Sequence, residues 1–225
     1  MAIALVVFDM AGTTVRDPGA VSASFRAALD AAGAHVEPAA IDAVMGLPKP
    51  EAFRRLLAAA PDAAHLAERV DALHADFVAR MLAYYAADPA VAEMPGASAA
   101  FARLRRAGVK VALNTGFSRD IVEVLLTRLG WHDAIDASIA SDEVARGRPH
   151  PDMILHLMSQ LGVNDARRVA KVGDTPVDLE EGDDVGCSLI IGVTNGTHTR
   201  AQLEPYPHTH LIDSLAELPW AALLP

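Results

Sequence analysis

Three polar signatures interrupt apolar runs in this chain, and each has the makings of chemistry. Asp9 ends the run Ala4-Leu5-Val6-Val7-Phe8 and is followed by Met10-Ala11-Gly12-Thr13-Thr14. Thr115 stands in Asn114-Thr115-Gly116 after a second run, and Asp174 in Gly173-Asp174-Thr175 after a third, with Asp178 one helical turn later. A carboxylate at a strand end can attack as a nucleophile, ligate a metal or cap the loop that follows. Asp9 alone leaves all three open. Gathered together, Asp9, Asp174 and Asp178 would repel one another unless a divalent cation neutralised them, and an all-oxygen donor set suits Mg²⁺. For Asp178 a helix cap or a solvated side chain is the simpler alternative.

The elements around these residues explain how they could meet. The spacing predicts strands at 4–8, 109–113, 137–140, 168–172, 188–193 and 210–212. Between the later strands it predicts helices at 97–107, 118–129 (with Ser118 as N-cap), 151–161 and 177–184, and a last helix ending at Trp220. Strands alternating with helices imply an α/β fold with a doubly wound parallel sheet. In such sheets the carboxyl ends of the strands converge on one rim, where ligands bind. Residues 16–93 carry no strand pattern. They read as helices at 20–32, 38–44 and from Pro50 onward, then one long helix over 62–87 that buries Leu66, Val70, Leu73, Phe77, Met81 and Tyr84. This segment is expected to be an insertion, with residues 1–15 and 94–225 forming the sheet domain.

Composition narrows the class. With 225 residues and 52% hydrophobic content, the chain can bury one core and carry one subdomain. A net charge of −10 and no basic block argue against a nucleic-acid surface. Cys187 is the single cysteine, so no internal disulfide forms and a reducing compartment fits. The apolar start reaches only Phe8, too short for a signal peptide or membrane span, and the expectation is a cytoplasmic protein without a membrane partner. There are three lysines against sixteen arginines, so each lysine in a suggestive place carries weight.

The ordered motifs resemble the haloacid dehalogenase superfamily, and within it the phosphonatase branch of phosphonoacetaldehyde hydrolase and its relatives. The matching stretches are Asp9-Met10-Ala11-Gly12-Thr13, Met45-Gly46-Leu47-Pro48-Lys49, Asn114-Thr115-Gly116, Gly147-Arg148-Pro149-His150-Pro151 and Lys171-Val172-Gly173-Asp174-Thr175. The resemblance implies a Rossmann-like core with a helical cap inserted after the first strand. It implies that Asp9 attacks phosphorus to give an aspartyl-phosphate. Mg²⁺ is held by Asp9, the Ala11 carbonyl and Asp174, with Asp178 behind them. Met10, Ala11, Gly12, Thr13, Thr115 and Gly116 grip the phosphoryl group, and Met45 and Gly46 approach the substrate from the cap. Arg148 replaces the superfamily's usual lysine, while nearby Arg146 is a surface residue. A homodimer paired through cap helices is also implied.

Two positions bear on the reaction. Ordinary phosphatases of the superfamily carry a second Asp, a general acid, where this chain has Ala11, and alanine transfers no proton. Lys49 falls where the branch has its Schiff-base lysine, which would make a departing carbanion tolerable by delocalising it into an iminium. Two departures stand beside this: Ala52 replaces the branch's histidine, and Phe117 its aromatic hydroxyl. The expected function is therefore Mg²⁺-dependent cleavage of a small phosphonate. The alternatives are hydrolysis of a phosphate ester or acyl phosphate, then a dehalogenase or a non-catalytic phosphate binder. His198, His208 and His210 read as solvated loop residues, Cys187 as buried and inert, and Trp131, Trp220 and Tyr206 as packing groups.

Overall fold

The computed structural model describes residues 2–224. β1 (Leu5–Asp9) is buried along its whole length. The other strands are β2 (Lys110–Thr115), β3 (Ala137–Ala140), β4 (Val169–Gly173), β5 (Leu189–Val193) and β6 (His210–Ile212). All pair in parallel, in the order β3-β2-β1-β4-β5-β6. That is the order of a doubly wound Rossmann-like sheet. It puts β1 at the centre, flanked by β2 and β4.

Helices α1 (Ala20–Ala31), α2 (Pro38–Asp42), α3 (Lys49–Ala59) and α4 (Val70–Ala87) separate β1 from α5 (Ala97–Arg106). Then follow α6 (Arg119–Leu129), α7 (Asp152–Gln160), α8 (Pro176–Val185), α9 (Arg200–Leu203) and α10 (Trp220–Leu223). Strand residues alternate between two cores, as the two-residue period requires. Val6, Phe8, Val111, Leu113 and Val172 pack with Phe101 of α5 and Ile121 of α6. Leu5, Val7, Ala112 and Val169 pack with Ile154 of α7 and Leu179 of α8. The same alternation puts Asp9, Asn114 and Lys171 on one face: Asp9 is level with Asn114, and Lys171 with Val7.

The helices before α5 have their own aromatic core. Phe25 of α1 lies 4.7 Å from Phe77 of α4 and 4.9 Å from Phe53 of α3, centroid to centroid. Phe117, in the loop after β2, extends this cluster onto the sheet domain, 6.5 Å from Phe77 and 5.9 Å from Tyr85. Burying such a ring contributes about 1.5–3 kcal/mol, so the cluster ties the helices to the rim as well as to one another. Among the described residues no helix is long and apolar enough to cross a membrane.

Several expected elements differ. The long helix over 62–87 is a 3-10 stretch at Pro61–Arg69 followed by α4. Tyr85, four residues after Met81, is fully buried in place of Tyr84, which is only half-buried. Ser118 occupies the N-cap position of α6, but its hydroxyl makes no capping bond. Asp142 caps the helix from another loop, accepting from the Arg119 N–H at 3.0 Å. The final helix begins at Trp220 rather than ending there, since Pro219 supplies no N–H to continue the 3-10 turn at Leu215–Glu217. Trp131 is buried edge-on against Phe101 and donates to Ser98, and Trp220 lies under the Arg103 guanidinium. Tyr206 is half-buried. Cys187 lies just before β5, its thiol pushed up to about 12 by burial.

Candidate active site

Asp9 ends β1 at the carboxyl rim of the sheet and is 3% exposed. The chain turns sharply after it. The N–H groups of Thr14 and Val15 both donate to the Met10 carbonyl, and Gly12 takes φ +93°. Gly12 must lack a Cβ for a second reason: one built there would run into the Asp174 carboxylate, and so would one at Gly196. Asp174 is thus cradled by two bare backbone positions. Its Oδ1 accepts from Thr13 Oγ1 at 2.8 Å and its Oδ2 from the Thr197 N–H at 2.6 Å. The Met10 side chain points into the core, leaving only its backbone to the loop.

Asp178 reaches the same place from α8. A Cβ on Gly173 would strike its side chain. Asp178 does cap its helix: Oδ2 accepts from Thr175 Oγ1 at 2.6 Å and from the Thr175 N–H at 3.2 Å. It also binds two cations through Oδ1, Arg148 Nη1 and, at 2.9 Å, Lys171 Nζ. Arg148, in the loop after β3, shares Nη1 between Asp178 and Asp9 Oδ1, the latter at 2.6 Å. Arg146 lies outside this arrangement, exposed and paired with Asp152.

Oxygens of Asp9, Asp174 and Asp178 lie within 4.8 Å of one another. Burial, aided by Asp9 and Asp178, pushes Asp174 up to about 7. Burial likewise raises Asp9, against the pull of Arg148. Burial also works to raise Asp178, but Arg148 and Lys171 overcome it and hold the carboxyl at about 2. Arg148 is kept protonated, since Asp178 and Asp9 outweigh its desolvation. Four buried carboxylates, counting Glu181, face three buried cations, Arg148, Lys171 and Lys49. The carboxylate oxygens of Asp9, Asp174 and Asp178 repel one another unless a cation sits among them, and the donors are all oxygen, so the residues fit Mg²⁺.

Glu181, Asn114 and Lys171 are site residues that sequence reasoning did not single out. All three are fully buried. Lys171 Nζ donates to Asn114 Oδ1 at 2.5 Å and lies 3.1 Å from Glu181 Oε2. Asn114 Nδ2 reaches both Glu181 oxygens, at 3.0 and 2.8 Å. The available signal was a lysine in an otherwise apolar strand of a lysine-poor chain.

The loop joining α2 to α3 presses onto this rim through glycines. A Cβ on Gly116 would meet the Leu47 and Gly46 carbonyls, one on Gly46 the Thr175 hydroxyl, and one on Gly147 the Pro48 ring at 2.5 Å. Asp9, Ala11, Met45, Gly46, Lys49, Thr115, Gly116 and Arg148 together line a cavity of about 20 Å³ beneath that loop. Gly12 and Thr13 serve Asp174 instead, one by its bare backbone and one by its hydroxyl. Lys49 is 3% exposed, and its Nζ sits over the rings of Phe117, Phe25 and Phe77 at 5.0, 5.5 and 5.9 Å. Burial, with Arg148 adding to it, lowers Lys49 to about 8. Its one hydrogen bond is to the Leu47 carbonyl, 3.3 Å. His198, expected in solvent, is buried beside the Asp174 backbone, and burial lowers its pKa. His208 is exposed and His210 half-buried.

Comparison with known proteins agrees with this arrangement. The chain is 34% identical over 219 residues to the probable phosphatase IndB of Dickeya dadantii, covering 97% of this chain and 93% of that one. It is 31% identical to the phosphonoacetaldehyde hydrolase of Paraburkholderia xenovorans, over 84% of this chain and 74% of that one. The crystal structure of a phosphonoacetaldehyde hydrolase-like protein from Oleispira antarctica superposes with a TM-score of 0.86 at 24% identity, covering 99% of this chain and 92% of that one. Residues 3–186 match the haloacid dehalogenase-like hydrolases. With its doubly wound parallel sheet and its aspartates gathered at the rim, the chain belongs to that family of hydrolases.

Proposed function

We propose that the chain is a Mg²⁺-dependent hydrolase that cleaves the C–P bond of a small phosphonate bearing a carbonyl two bonds from phosphorus, of which phosphonoacetaldehyde is the simplest. One observation carries this reading: Asp9 and Lys49 line the same cavity, with alanine at position 11 where an acid would serve an alcohol leaving group. Lys49 Nζ adds to the carbonyl carbon, and loss of water leaves an iminium. An Asp9 oxygen then forms a bond to phosphorus as the C–P bond breaks, and the carbon's electron pair moves into the iminium to give an enamine. Protonation and hydrolysis of the enamine release the aldehyde and free Lys49. Water cleaves the aspartyl-phosphate, returning Asp9 and inorganic phosphate.

Arg148 holds the attacking carboxylate in place and offers its remaining N–H groups to the phosphoryl oxygens, alongside Thr115 and the backbone after Asp9. Asp9, the Ala11 carbonyl and Asp174 would hold Mg²⁺, which neutralises phosphoryl charge when bound. Residues 16–93 act as a cap over the rim. A cavity of about 20 Å³ has room for roughly one water, so the 45–49 loop lifts to admit substrate.

A second reading has its own support. The cage of Phe25, Phe77 and Phe117 suits a permanent ammonium as well as a reacting amine, and among the described residues no imidazole or phenol lines the cavity to shuttle its protons. Lys49 would then bind the charge of a phosphate ester or acyl phosphate. The two are separated by turnover of phosphonoacetaldehyde with Mg²⁺, following phosphate and acetaldehyde together. Equal release of both, abolished by Lys49→Arg, supports C–P cleavage. Cleavage of acetyl phosphate alone supports the phosphatase.

A further inference from the structure

The deepest polar groups of the rim do not touch the cavity, yet they underlie everything that does. Lys171 lies in the strand Val169-Ala170-Lys171-Val172-Gly173 and is fully buried. Its ammonium donates a hydrogen bond to Asn114 Oδ1 at 2.5 Å and forms ion pairs with Asp178 Oδ1 at 2.9 Å and Glu181 Oε2 at 3.1 Å. Glu181 fixes the Asn114 amide from its other end. We propose that Lys171 is a positioning residue for phosphoryl transfer: held by Asn114 and Glu181, it fixes Asp178, which in turn keeps Arg148 against the Asp9 carboxylate.

Register makes the connection physical. β1 lies between β2 and β4, with Asp9 level with Asn114 and Val7 level with Lys171. The Lys171–Asn114 hydrogen bond therefore bridges the two neighbours of β1 and crosses that strand just below the Asp9 side chain. It ties together the three strand ends that carry Asp9, Thr115 and Asp174. Asp178 Oδ1 is the hub, because Lys171 and Arg148 share it. Remove Lys171, and all of the Asp178 charge falls on Arg148 Nη1, the same nitrogen that holds Asp9. Arg148 is drawn down towards Asp178 and away from the nucleophile.

Stability alone does not account for a buried group of this kind. Replacing buried ion pairs by apolar side chains of similar volume is often neutral or stabilising. A lysine, two carboxylates and an asparagine retained under one strand end are explained by what they orient.

This inference rests on Asp9 as the nucleophile, so the experiment separates the two. Beryllium fluoride with Mg²⁺ is the probe, since it adds to a reactive carboxylate as a phosphoryl mimic and needs no knowledge of the substrate; its binding is followed by ¹⁹F NMR. Turnover of acetyl phosphate and of phosphonoacetaldehyde is measured beside it. The informative variant is Lys171→Met/Glu181→Gln, which removes one positive and one negative charge together and so spares the charge balance. Lys171→Gln/Glu181→Gln replaces it if the methionine protein does not fold.

The expected result is a Tm close to wild type, beryllium fluoride binding weakened about 100-fold and kcat lowered about 100-fold, with KM within about threefold. A merely structural lysine would move Tm and leave the other readouts alone. Binding and kcat within about threefold of wild type in the double variant overturn the proposal. Asp9→Asn must abolish the adduct; if it does not, the nucleophile reading falls, and this inference with it.

Discussion

Lys49 offers the most quantitative test, because its environment fixes how its reactivity depends on pH. Burial, with Arg148 adding to it, lowers the amine from 10.5 to about 8. At pH 7 the neutral fraction is then roughly 300-fold greater than for an ordinary lysine. Only the neutral amine adds to a carbonyl, so the rate of imine formation should climb about tenfold per pH unit below 8 and flatten above it. Burial penalises the charged form, which for an amine is the protonated one, so the pKa moves down where a buried carboxyl's moves up, and reactivity is lost as pH falls.

The assay needs no phosphonate. Acetaldehyde, the expected product, is incubated with the protein and cyanoborohydride between pH 6 and 9.5, and N-ethylation is read by peptide mass. With three lysines in the chain, the digest separates the candidates: exposed Lys110 is the internal comparison, and Lys171 is out of reach. A midpoint near 8 for the Lys49 peptide supports the reading. A rate still rising at pH 9.5, or labelling no greater than that of Lys110 at pH 7, refutes it. The same protonation touches stability. Charged Lys49 is disfavoured in the folded state, so its contribution improves as pH rises from about 8 towards 10.5.

Three further outcomes follow from packing and charge. Gly116→Ala puts a methyl into the Leu47 and Gly46 carbonyls; overpacking of this kind costs about 1–3 kcal/mol, so kcat/KM should fall at least about tenfold while Tm drops only a few degrees, as steady-state kinetics and calorimetry will show. Asp174, pushed up to about 7, keeps its proton after the unfolded carboxyl at 3.8 has lost it, so metal-free protein should lose stability as pH rises from about 4 to 7. Mg²⁺ should therefore raise Tm more at pH 8 than at pH 5.5, with about 2.7 kcal/mol of stabilisation at one hundred times its Kd; an equal shift at both values would exclude Asp174 as a ligand. Phe77→Ala removes a fully buried ring in contact with Phe25 and Phe53 and should lower unfolding free energy in urea by about 3–5 kcal/mol.

The sheet was legible because apolar runs ending in Asp9, Thr115 and Asp174 carry both their period and their stopping points. The helices of residues 16–93 were legible as a class but less so in register. Tyr84 and Tyr85 are adjacent aromatics at the end of an amphipathic pattern, and only the turn taken after the 3-10 stretch decides which one faces inward. Ser118 misled for a related reason: propensity names a good capping residue, while Asp142 arrives from a distant loop to do the work. Asn114, Lys171 and Glu181 were harder still. A polar residue in a strand and a glutamate on an acidic helix name no partner until the pairing of β1 with β2 and β4 brings them together. Partnership across a sheet is a property of register, which a single sequence states only weakly.

Arg148 and Ala11 are best understood together. A phosphatase that protonates an alcohol needs a carboxylic acid above the nucleophile and a cation that leaves that acid free. Here alanine takes the acid's position, and the guanidinium is anchored below, sharing one nitrogen between Asp9 and Asp178. Its Nε is buried with no hydrogen-bond partner among the described residues, a donor that a phosphoryl oxygen could satisfy. Lys49, which lines the same cavity, stands among aromatic rings. The cavity therefore brings carboxylates that fit a metal, and Arg148, together with a poorly solvated amine. A phosphonate whose phosphorus faces Asp9 and whose carbonyl faces Lys49 matches both at once. A halide leaving group needs no metal held at Asp174, and an alkoxide would leave without its proton.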